Sequence, residues 1–258
     1  MTADFYDRLA PFYHLLYEDW DRAIERQGTA LADLLRECGV APGQSILDAA
    51  AGIGTQTIGL AARGYQVTAS DISAGAIDRL NRELSRRALH ADTRVDDLLS
   101  LQHTRSESMD AVLACDNSLP HLLTDAALLQ ALRSCLRCCR TGGVAIFSLR
   151  DYANIERKTP DVRPYGLREE NGQRFLAVQV WEWQGDQYDL RMYLTTEFED
   201  GGCSTQVLKS RYHAVTIDRL IALMHEAGFV DITRRDDVLF QPVLIGRRPG
   251  TTTRSLHD

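Results

Sequence analysis

A carboxylate and two glycines stand close together in the segment ILDAAAGIGT (Ile46 to Thr55), where an apolar run reaches Asp48 and is then broken at Gly52 and Gly54. Because glycine has no Cβ, a strand-to-helix loop of this kind lets the backbone approach a nucleotide-like ligand closely. Asp71 ends a second apolar run about twenty residues on, where a carboxylate can accept hydrogen bonds from both hydroxyls of a ribose. These residues predict a site for a nucleotide-like ligand.

The spacing after the glycines bears on which ligand binds. A dinucleotide fingerprint, GxGxxG or GxGxxA, needs a third small residue where the helix packs on the strand, and the helix N-terminus binds the pyrophosphate. Thr57 stands at that place here. The loop therefore favours an adenosyl group without a pyrophosphate, and a nucleotide-dependent oxidoreductase is the less favoured interpretation. A glycine turn that binds no ligand is a further alternative.

Strands and helices alternate from this loop onward. The pattern predicts helices over Thr55 to Arg63, from Ser73 onward, and from Thr124 to a stop at Gly142-Gly143. After the strand that ends at Asp48, it predicts the strands Gln66 to Ser70, Thr93 to Val95, Asp110 to Cys115, Val144 to Leu149, Val230 to Arg234 and Pro242 to Gly246. Such alternation predicts an α/β fold with a Rossmann-like seven-stranded sheet and helices on both faces.

Two segments fall outside this alternation. Residues 1–40 are predicted to form an N-terminal helical cap. Residues 151–212 are predicted to form an insertion, in which the hydrophobic period changes between Phe175 and Tyr212 to the two that is typical of strands. The QGDQ and DGG segments within 151–212 have the composition of hairpin turns. An antiparallel insertion after the fifth strand can cover the ligand crevice as a lid. The predicted core is 41–150 with 213–248, and residues 249–258 are predicted to be a flexible tail.

The order DxxxGxG, helix, strand, aspartate resembles the class I S-adenosylmethionine (SAM)-dependent methyltransferases. Three further segments look like the glycine/sarcosine N-methyltransferase family: DNSLPHL (116–122), SLRDY (148–152), and YDLRMYL (188–194) followed by SRYHA (210–214). The similarity runs from near Tyr6 to Arg248. It implies a methyltransferase sheet, SAM as the methyl donor, and N-methylation of a glycine-like amino acid or small amine by direct in-line displacement.

The resemblance implies two sets of site residues. The SAM site would be lined by Tyr13, Asp48, Ala50, Gly52, Gly54, Asp71, Ile72, Asp97, Leu98 and Cys115. From its place at the strand ends, Asp97 could accept a hydrogen bond from the adenine amino group while Leu98 packs on the ring, and a solvated loop carboxylate is the alternative for Asp97. The acceptor would be contacted by Tyr17, Asn117, Arg150 and Tyr212, with Tyr193 and His121 as second-rank candidates.

Methyl transfer from a sulfonium mainly needs an aligned nucleophile and the exclusion of water, so a strong base is optional when the nucleophile is a neutral amine. Asn117 could orient such an amine through its side-chain oxygen, and Arg150 could bind a carboxylate of the acceptor in a bidentate pair. An arginine at a strand end is also commonly the partner of a structural ion pair, and that alternative stays open. Tyr13 and Tyr17 either face the sulfonium as cation–π partners or belong to the core.

The sequence departs from that family's pattern in several places. Asp116 stands where the family usually has a glycine, and its carboxylate could attract a cationic amine or alter the pocket. Leu98 replaces an aromatic residue beside the adenine, and the N-terminal arm is short. The arginine expected on the carboxylate of SAM is either Arg22 or Arg26, and the sequence leaves that choice open.

The composition narrows the range of partners. A net charge of −7 and a pI near 5.5 give no basic footprint for a phosphate backbone or an anionic membrane. No apolar run approaches the roughly 20 residues that span a bilayer, and the N-terminus lacks a signal-peptide pattern. We therefore expect a cytoplasmic enzyme with a small-molecule substrate and no nucleic-acid or membrane partner. A homo-oligomer is compatible with the sequence.

The six cysteines are expected to be reduced and mostly buried. Cys135, Cys138 and Cys139 form CxxCC inside a predicted helical segment, and no second Cys or His pair has zinc-finger spacing, so no metal site is predicted. Two further functions remain as alternatives. One is a metal-assisted O-methyltransferase with Asp116 and Asn117 among its ligands, and the other is a catalytically silent cofactor-binding protein.

Overall fold

The computed structural model describes residues 2–250. Its α-helices are α1 (Thr2–Leu9), α2 (Trp20–Glu37), α3 (Thr55–Ala61), α4 (Ala74–Arg86), α5 (Asp125–Cys138) and α6 (Ile217–Ala227). Its strands are β1 (Ser45–Asp48), β2 (Gln66–Asp71), β3 (Asp92–Val95), β4 (Met109–Ala114), β5 (Cys139–Ser148), β6 (Asp161–Glu170), β7 (Gln173–Gln184), β8 (Gln187–Glu197), β9 (Cys203–His213), β10 (Val230–Arg235) and β11 (Val243–Arg247). None of these helices has the length and apolar character that a bilayer crossing requires. The predicted tail at 249–258 lies outside the described residues from position 251 onward.

Seven strands form the main sheet in the order β10-β11-β5-β4-β1-β2-β3, with β11 antiparallel to both of its neighbours. The chain passes from one half of the sheet to the other between β1 and β4, so the crevice beyond their carboxyl ends is the topological switch point. The central strands are almost fully buried, because helices cover both faces of the sheet. The predicted seven-stranded Rossmann-like sheet is confirmed.

The predicted antiparallel insertion after the fifth strand is also confirmed, as a four-stranded sheet in the order β6-β7-β8-β9. We call β6 to β9 the lid sheet. Its inner face buries Tyr188, Leu190, Met192 and Leu194, the period-two set of the sequence, against α1. Strand β6 lies before the predicted period-two segment and was not expected, although Asn171-Gly172 joins β6 to β7 and Asn-Gly is a strong hairpin signal.

The predicted end of α5 at Gly142-Gly143 is wrong. The helix ends at Cys138, and Cys139, predicted to be helical, is extended (φ −60°, ψ 137°) and opens β5. Gly143 lies inside that strand beside a register shift in the β4–β5 pairing, and a Cβ there would stand 2.9 Å from the carbonyl oxygen of Arg140. The two glycines therefore permit the irregular backbone at the start of β5 and do not end α5.

Two glycines let α2 and α3 cross in backbone contact. A Cβ added at Gly59 would stand 2.8 Å from Gly28 Cα and 2.8 Å from the carbonyl oxygen of Ile24. This approach brings Trp20, the first residue of α2, to Thr55, the first residue of α3, where the indole Nε1 donates to Oγ1 at 2.9 Å. The crossing thus holds the N-terminal helices against the glycine loop that precedes α3.

Gly59→Ala is therefore expected to lower the free energy of unfolding by about 1 to 3 kcal/mol, because the added methyl overpacks a backbone contact. Urea denaturation measures the change. Gly250→Ala is the matched control, since a Cβ there meets nothing within 4 Å. Equal stability of the two variants would contradict the close crossing.

Asp48 lies beneath the glycine loop at the end of β1 and is fully buried. Its Oδ2 accepts a hydrogen bond from Thr57 Oγ1 at 2.7 Å, while Oδ1 has no partner among residues 2–250. Burial raises the pKa of Asp48 to about 7, against the lowering effect of the Thr57 hydrogen bond. Thr57, which replaces the small residue of a dinucleotide fingerprint, thus ties α3 to β1.

A carboxyl with a raised pKa in the folded state stabilises the fold when protonated and loses that contribution as pH rises toward 7. Asp48→Asn cannot ionise, so its stability relative to wild type should increase by about 2 kcal/mol between pH 5 and pH 8. Denaturant titrations at both pH values measure this difference. The control Asp78→Asn, on the exposed side of α4, should differ from wild type equally at both. A constant offset for Asp48→Asn would refute the buried proton.

Candidate functional site

A cavity of about 270 Å³ opens at the switch point beyond the carboxyl ends of β1, β2 and β4. We call it the loop cavity. Its wall includes all of the predicted SAM-site residues except two: Tyr13, Ala50, Gly52, Asp71, Ile72, Asp97, Leu98 and Cys115. The two exceptions are Asp48, which lies beneath the loop, and Gly54, the last residue of the loop before α3.

The two glycines of the loop have different tasks. Gly52 (φ +53°) is part of the cavity wall, and its N–H donates to Asp71 Oδ2 at 2.8 Å. A Cβ on Gly52 would project toward the Tyr13 ring, 3.6 Å from its Cε1, and so into the space between loop and ring. Gly54 (φ +97°) packs against Leu80 of α4, and a Cβ added at Gly54 would clash with Leu80 Cδ1. Gly52 thus leaves room for a ligand, and Gly54 lets the helix α4 pack.

The carboxylates of the wall are fixed by backbone donors. Asp71 Oδ1 accepts from Ser73 N at 2.9 Å, and Asp97 Oδ1 accepts from Leu99 N at 2.9 Å. Burial raises the pKa of Asp71, although the N–H groups of Ser73 and Gly52 oppose that shift. Each carboxylate oxygen has a second lone pair, so both groups can still accept from a ligand.

The chemistry of this wall suits a cationic adenosyl compound. Asp71, Asp97 and Asp116 contribute carboxylates, and Tyr13 and Tyr17 contribute aromatic faces, with ring centroids 6.5 Å apart. Carboxylates accept from ribose hydroxyls and amino groups, and both carboxylates and ring faces attract a positive charge. The space that Gly52 leaves open provides the close backbone approach that an adenosyl group requires.

A second cavity, of about 250 Å³, lies between the loop cavity and the lid sheet. We call it the lid cavity. It shares Tyr6, Tyr13, Tyr17 and Asp116 with the loop cavity, so the two spaces adjoin. All four residues predicted to contact the acceptor line it: Tyr17, Asn117, Arg150 and Tyr212. Arg26 also lines it, whereas Arg22 lines neither cavity.

Arg150 points into the lid cavity rather than into an ion pair. Its guanidinium carbon lies 5.2 Å from the centre of the Trp181 ring, and within residues 2–250 no carboxylate forms a salt bridge with it. Arg163 contacts the same ring at 3.9 Å and is instead paired with Asp161 at 2.8 Å. An arginine stays charged at any ordinary pH. Its guanidinium is therefore available to bind an anion in the cavity.

Asn117 holds this arginine in place. It is 2% exposed, its Oδ1 accepts from the backbone N–H of Arg150 at 3.0 Å, and its Nδ2 donates to the Tyr152 hydroxyl at 2.8 Å. That hydroxyl in turn lies 3.0 Å from the hydroxyl of Tyr188 on the lid sheet. The side chain of Asn117 thus links the end of β4 to the end of β5. Its predicted contact with an amine stays a prediction.

A row of aromatic rings closes the lid side. The Tyr212 ring is parallel to Tyr188 (5.1 Å, 3°), and its centroid lies 4.1 Å from that of His121. His121 Nε2 is 2.7 Å from the Tyr6 hydroxyl, and burial lowers the pKa of His121 to about 3, which keeps the ring neutral. Tyr193 alternates with the inward-facing Met192 and lies on the opposite face of the lid sheet, away from both cavities.

Several residues of the two walls were not anticipated. Gln27 and Gln56 form a buried amide pair at 2.6 Å that reaches Asp116, and nothing in their spacing signals this contact. Phe240 is 94% exposed at the rim of the lid cavity.

Within residues 2–250, no three His, Cys, Asp or Glu side chains are grouped so that they could hold a metal ion.

Known proteins resemble this chain both in sequence and in fold. The family described as a methyltransferase domain matches residues 46–143. The glycine/sarcosine N-methyltransferase of Parasynechococcus marenigrum (strain WH8102) is 29% identical over 222 residues, which cover 85% of this chain and 73% of that protein.

Two solved structures share the fold. The sugar N-methyltransferase KedS8 from Streptoalloteichus sp. ATCC 53650 has a TM-score of 0.74 at 17% identity and covers 88% of both chains. The SAM-bound amino pentose methyltransferase CalS10 from Micromonospora echinaspora has a TM-score of 0.73 at 16% identity, covering 87% of this chain and 91% of that one. Residues 46–143 therefore form a methyltransferase domain, and the protein is a SAM-dependent methyltransferase that acts on a small molecule.

Proposed function

We propose that this enzyme transfers the methyl group to the nitrogen of a small amine that also carries a carboxylate, as in a glycine-like amino acid. The observation that carries the proposal is Arg150, whose guanidinium lines the lid cavity without a carboxylate partner among residues 2–250. A planar guanidinium binds a carboxylate in a bidentate pair, which fixes the orientation of the acceptor as well as its position.

The loop cavity is where we place the methyl donor. SAM supplies an electrophilic methyl carbon on a positively charged sulfur. In this assignment Asp71 accepts from the ribose hydroxyls, Asp97 accepts from the adenine amino group, and Leu98 packs on the adenine. Tyr13 and Tyr17 lie on the wall that both cavities share, so their rings would face the sulfonium and exclude water from it.

The acceptor side depends on residues that orient rather than activate. Asn117 and Trp181 hold Arg150 from two directions, through its backbone N–H and its guanidinium face. An acceptor with its carboxylate on Arg150 would direct its amine toward the shared wall at Tyr17. Such alignment lowers the entropic part of the barrier, which is the main catalytic requirement of an in-line displacement. The names of the Parasynechococcus enzyme and of KedS8 support nitrogen as the acceptor atom.

Incubation with methyl-labelled SAM and a panel of acceptors tests this function. We expect transfer to the nitrogen of glycine, sarcosine or a related carboxylate-bearing amine, and slower transfer to an amino sugar that lacks a carboxylate. Transfer confined to hydroxyl or thiol acceptors would contradict N-methylation. Turnover that disappears in chelator would favour the metal-assisted O-methyltransferase instead.

Arg150→Lys should reduce kcat/KM for a carboxylate-bearing amine by about 10- to 100-fold, because a point charge replaces a bidentate pair. The loss should appear mainly in the acceptor KM, with SAM binding unchanged. Arg163→Lys is the matched control, since Arg163 also lies over the Trp181 ring but is already paired with Asp161. Equal kinetics for the two variants would remove Arg150 from the acceptor site.

A further inference from the structure

We propose that Asp116 binds the ammonium group of the acceptor and then removes a proton from the acceptor nitrogen. Asp116 would thus be the general base for N-methylation. The inference rests on the proposed function, because it assigns the nitrogen of the same acceptor whose carboxylate Arg150 holds.

The position of Asp116 is the first support. It is the second residue after β4 and belongs to the walls of both cavities, between the space assigned to the methyl donor and the space that Arg150 lines. Its backbone has φ +54°, and its N–H donates to Ser148 Oγ at 2.8 Å, so the strand end itself fixes this carboxylate. A methyl group that passes from one cavity to the other must cross this shared wall.

The partners of Asp116 are the second support. Its Oδ2 accepts from Gln56 Nε2 at 2.8 Å and from the Tyr17 hydroxyl at 3.4 Å. Gln56 Nε2 also donates to Gln27 Oε1 at 2.6 Å, which fixes the Gln56 amide. All three are uncharged, and within residues 2–250 no arginine, lysine or histidine forms a salt bridge with Asp116. A partly buried carboxylate whose hydrogen-bond donors are all neutral is left to attract a cationic ligand.

The surroundings also tune Asp116 as a proton acceptor. Burial raises its pKa, and the hydrogen bonds from Gln56 and Tyr17 together with the charge of Arg150 partly oppose the rise. A carboxyl whose pKa moves toward the working pH is a better general base than an ordinary aspartate. The titratable and charged groups that act on it are Tyr13, Tyr17, Asp48, Cys115 and Arg150, and Arg26 of α2 lines the same lid cavity.

No other titratable side chain of the shared wall, and neither His121 nor Cys115 of the loop cavity, fits this task as well. Burial lowers the pKa of His121 to about 3, and its Nε2 is engaged with the Tyr6 hydroxyl. Burial raises the pKa values of the Cys115 thiol and of the Tyr13 and Tyr17 hydroxyls, so these groups stay protonated. Asp116 is the group that can take up a proton there.

The proton and electron balance is simple. A primary ammonium acceptor R–NH₃⁺ gives one proton to the Asp116 carboxylate, which leaves R–NH₂ with a free lone pair beside a neutral carboxylic acid. That lone pair forms the new N–C bond to the methyl carbon while the electron pair of the C–S bond departs with the sulfur. The product is R–NH₂⁺–CH₃, and Asp116 returns its proton to solvent when the product leaves.

Asp116→Asn tests the base through the pH dependence of kcat/KM. Asparagine tolerates the positive φ, and Asp116→Gly, which carries the residue usual in the resembling family, is a second variant in case the amide alters folding. In both, kcat/KM should fall on the order of 10²- to 10³-fold at pH 7 and rise tenfold per pH unit, because only the free amine then reacts. Wild type should be nearly flat over the same range. A variant that kept the wild-type profile would overturn the base.

Binding of glycine against acetate, measured by calorimetry in the presence of S-adenosylhomocysteine, tests the ammonium contact separately. Wild type should prefer glycine by about 10- to 100-fold, the worth of a hydrogen bond to a charged group. Asp116→Asn should lose the preference, whereas the control Arg163→Lys should keep it. Wild type that binds both probes equally, or a variant that retains the preference, would overturn the contact.

The two experiments separate this inference from the proposed function. If wild type methylates amines while Asp116→Asn keeps both the pH profile and the preference for glycine, the inference fails and the function stands. The other case is a wild type that methylates no amine and yet prefers glycine to acetate, with the preference lost in the Asp116→Asn variant. In that case the proposed function and the base fail together, and the ammonium contact stands.

Discussion

A partly buried guanidinium, that of Arg150, has no salt-bridge partner within residues 2–250, and the acceptor side of this structure depends on how it is held. Enclosing a charge without a counterion is costly, so the protein must stabilise Arg150 by other means. Trp181 offers its ring face, and Asn117 fixes the backbone through a hydrogen bond at 3.0 Å. Trp181 belongs to β7, so Arg150 is held only when the lid sheet is packed on the core. The insertion after β5 is therefore part of the acceptor site as well as its cover.

Negatively charged side chains predominate around the loop cavity, where the methyl donor is placed. Asp48, Asp71 and Asp116 surround the loop cavity or lie beneath it, and burial raises the pKa of all three. For Asp48, the charges of Asp71 and Asp116 add to that rise. A cation in the loop cavity would relieve this repulsion, and an anion in the lid cavity would do the same for Arg150. The two adjoining spaces are thus prepared for ligand charges of opposite sign, which matches a sulfonium donor and a carboxylate-bearing acceptor.

The sequence predicted those features that a parallel sheet enforces. Strand ends meet at one rim, so Gly52, Asp71 and Asp97 could be placed in one site before any contact was known. Other features depend on approaches between distant elements. The crossing of α2 and α3 at Gly28 and Gly59 needs both helices in position, and the same is true of Arg150 and Trp181. Glycine also has several uses, which is why Gly142-Gly143 was misread as a helix stop.

The two charges assigned to the acceptor lie within two residues of the ends of neighbouring strands of the sheet. Asp116 follows β4 and Arg150 follows β5, and these strands pair in parallel. The Ser148 hydroxyl and carbonyl accept from the backbone N–H groups of Asp116 and Asn117, which locks the two strand ends together. Paired strands lie about 4.8 Å apart, so the backbones carrying the anion and the cation have a fixed separation. A site built on such elements holds its geometry better than one on loops. Asp116 and Arg150, at the two strand ends, would then discriminate between a zwitterion and a simple amine. The lid sheet would limit the size of any further substituent on the acceptor.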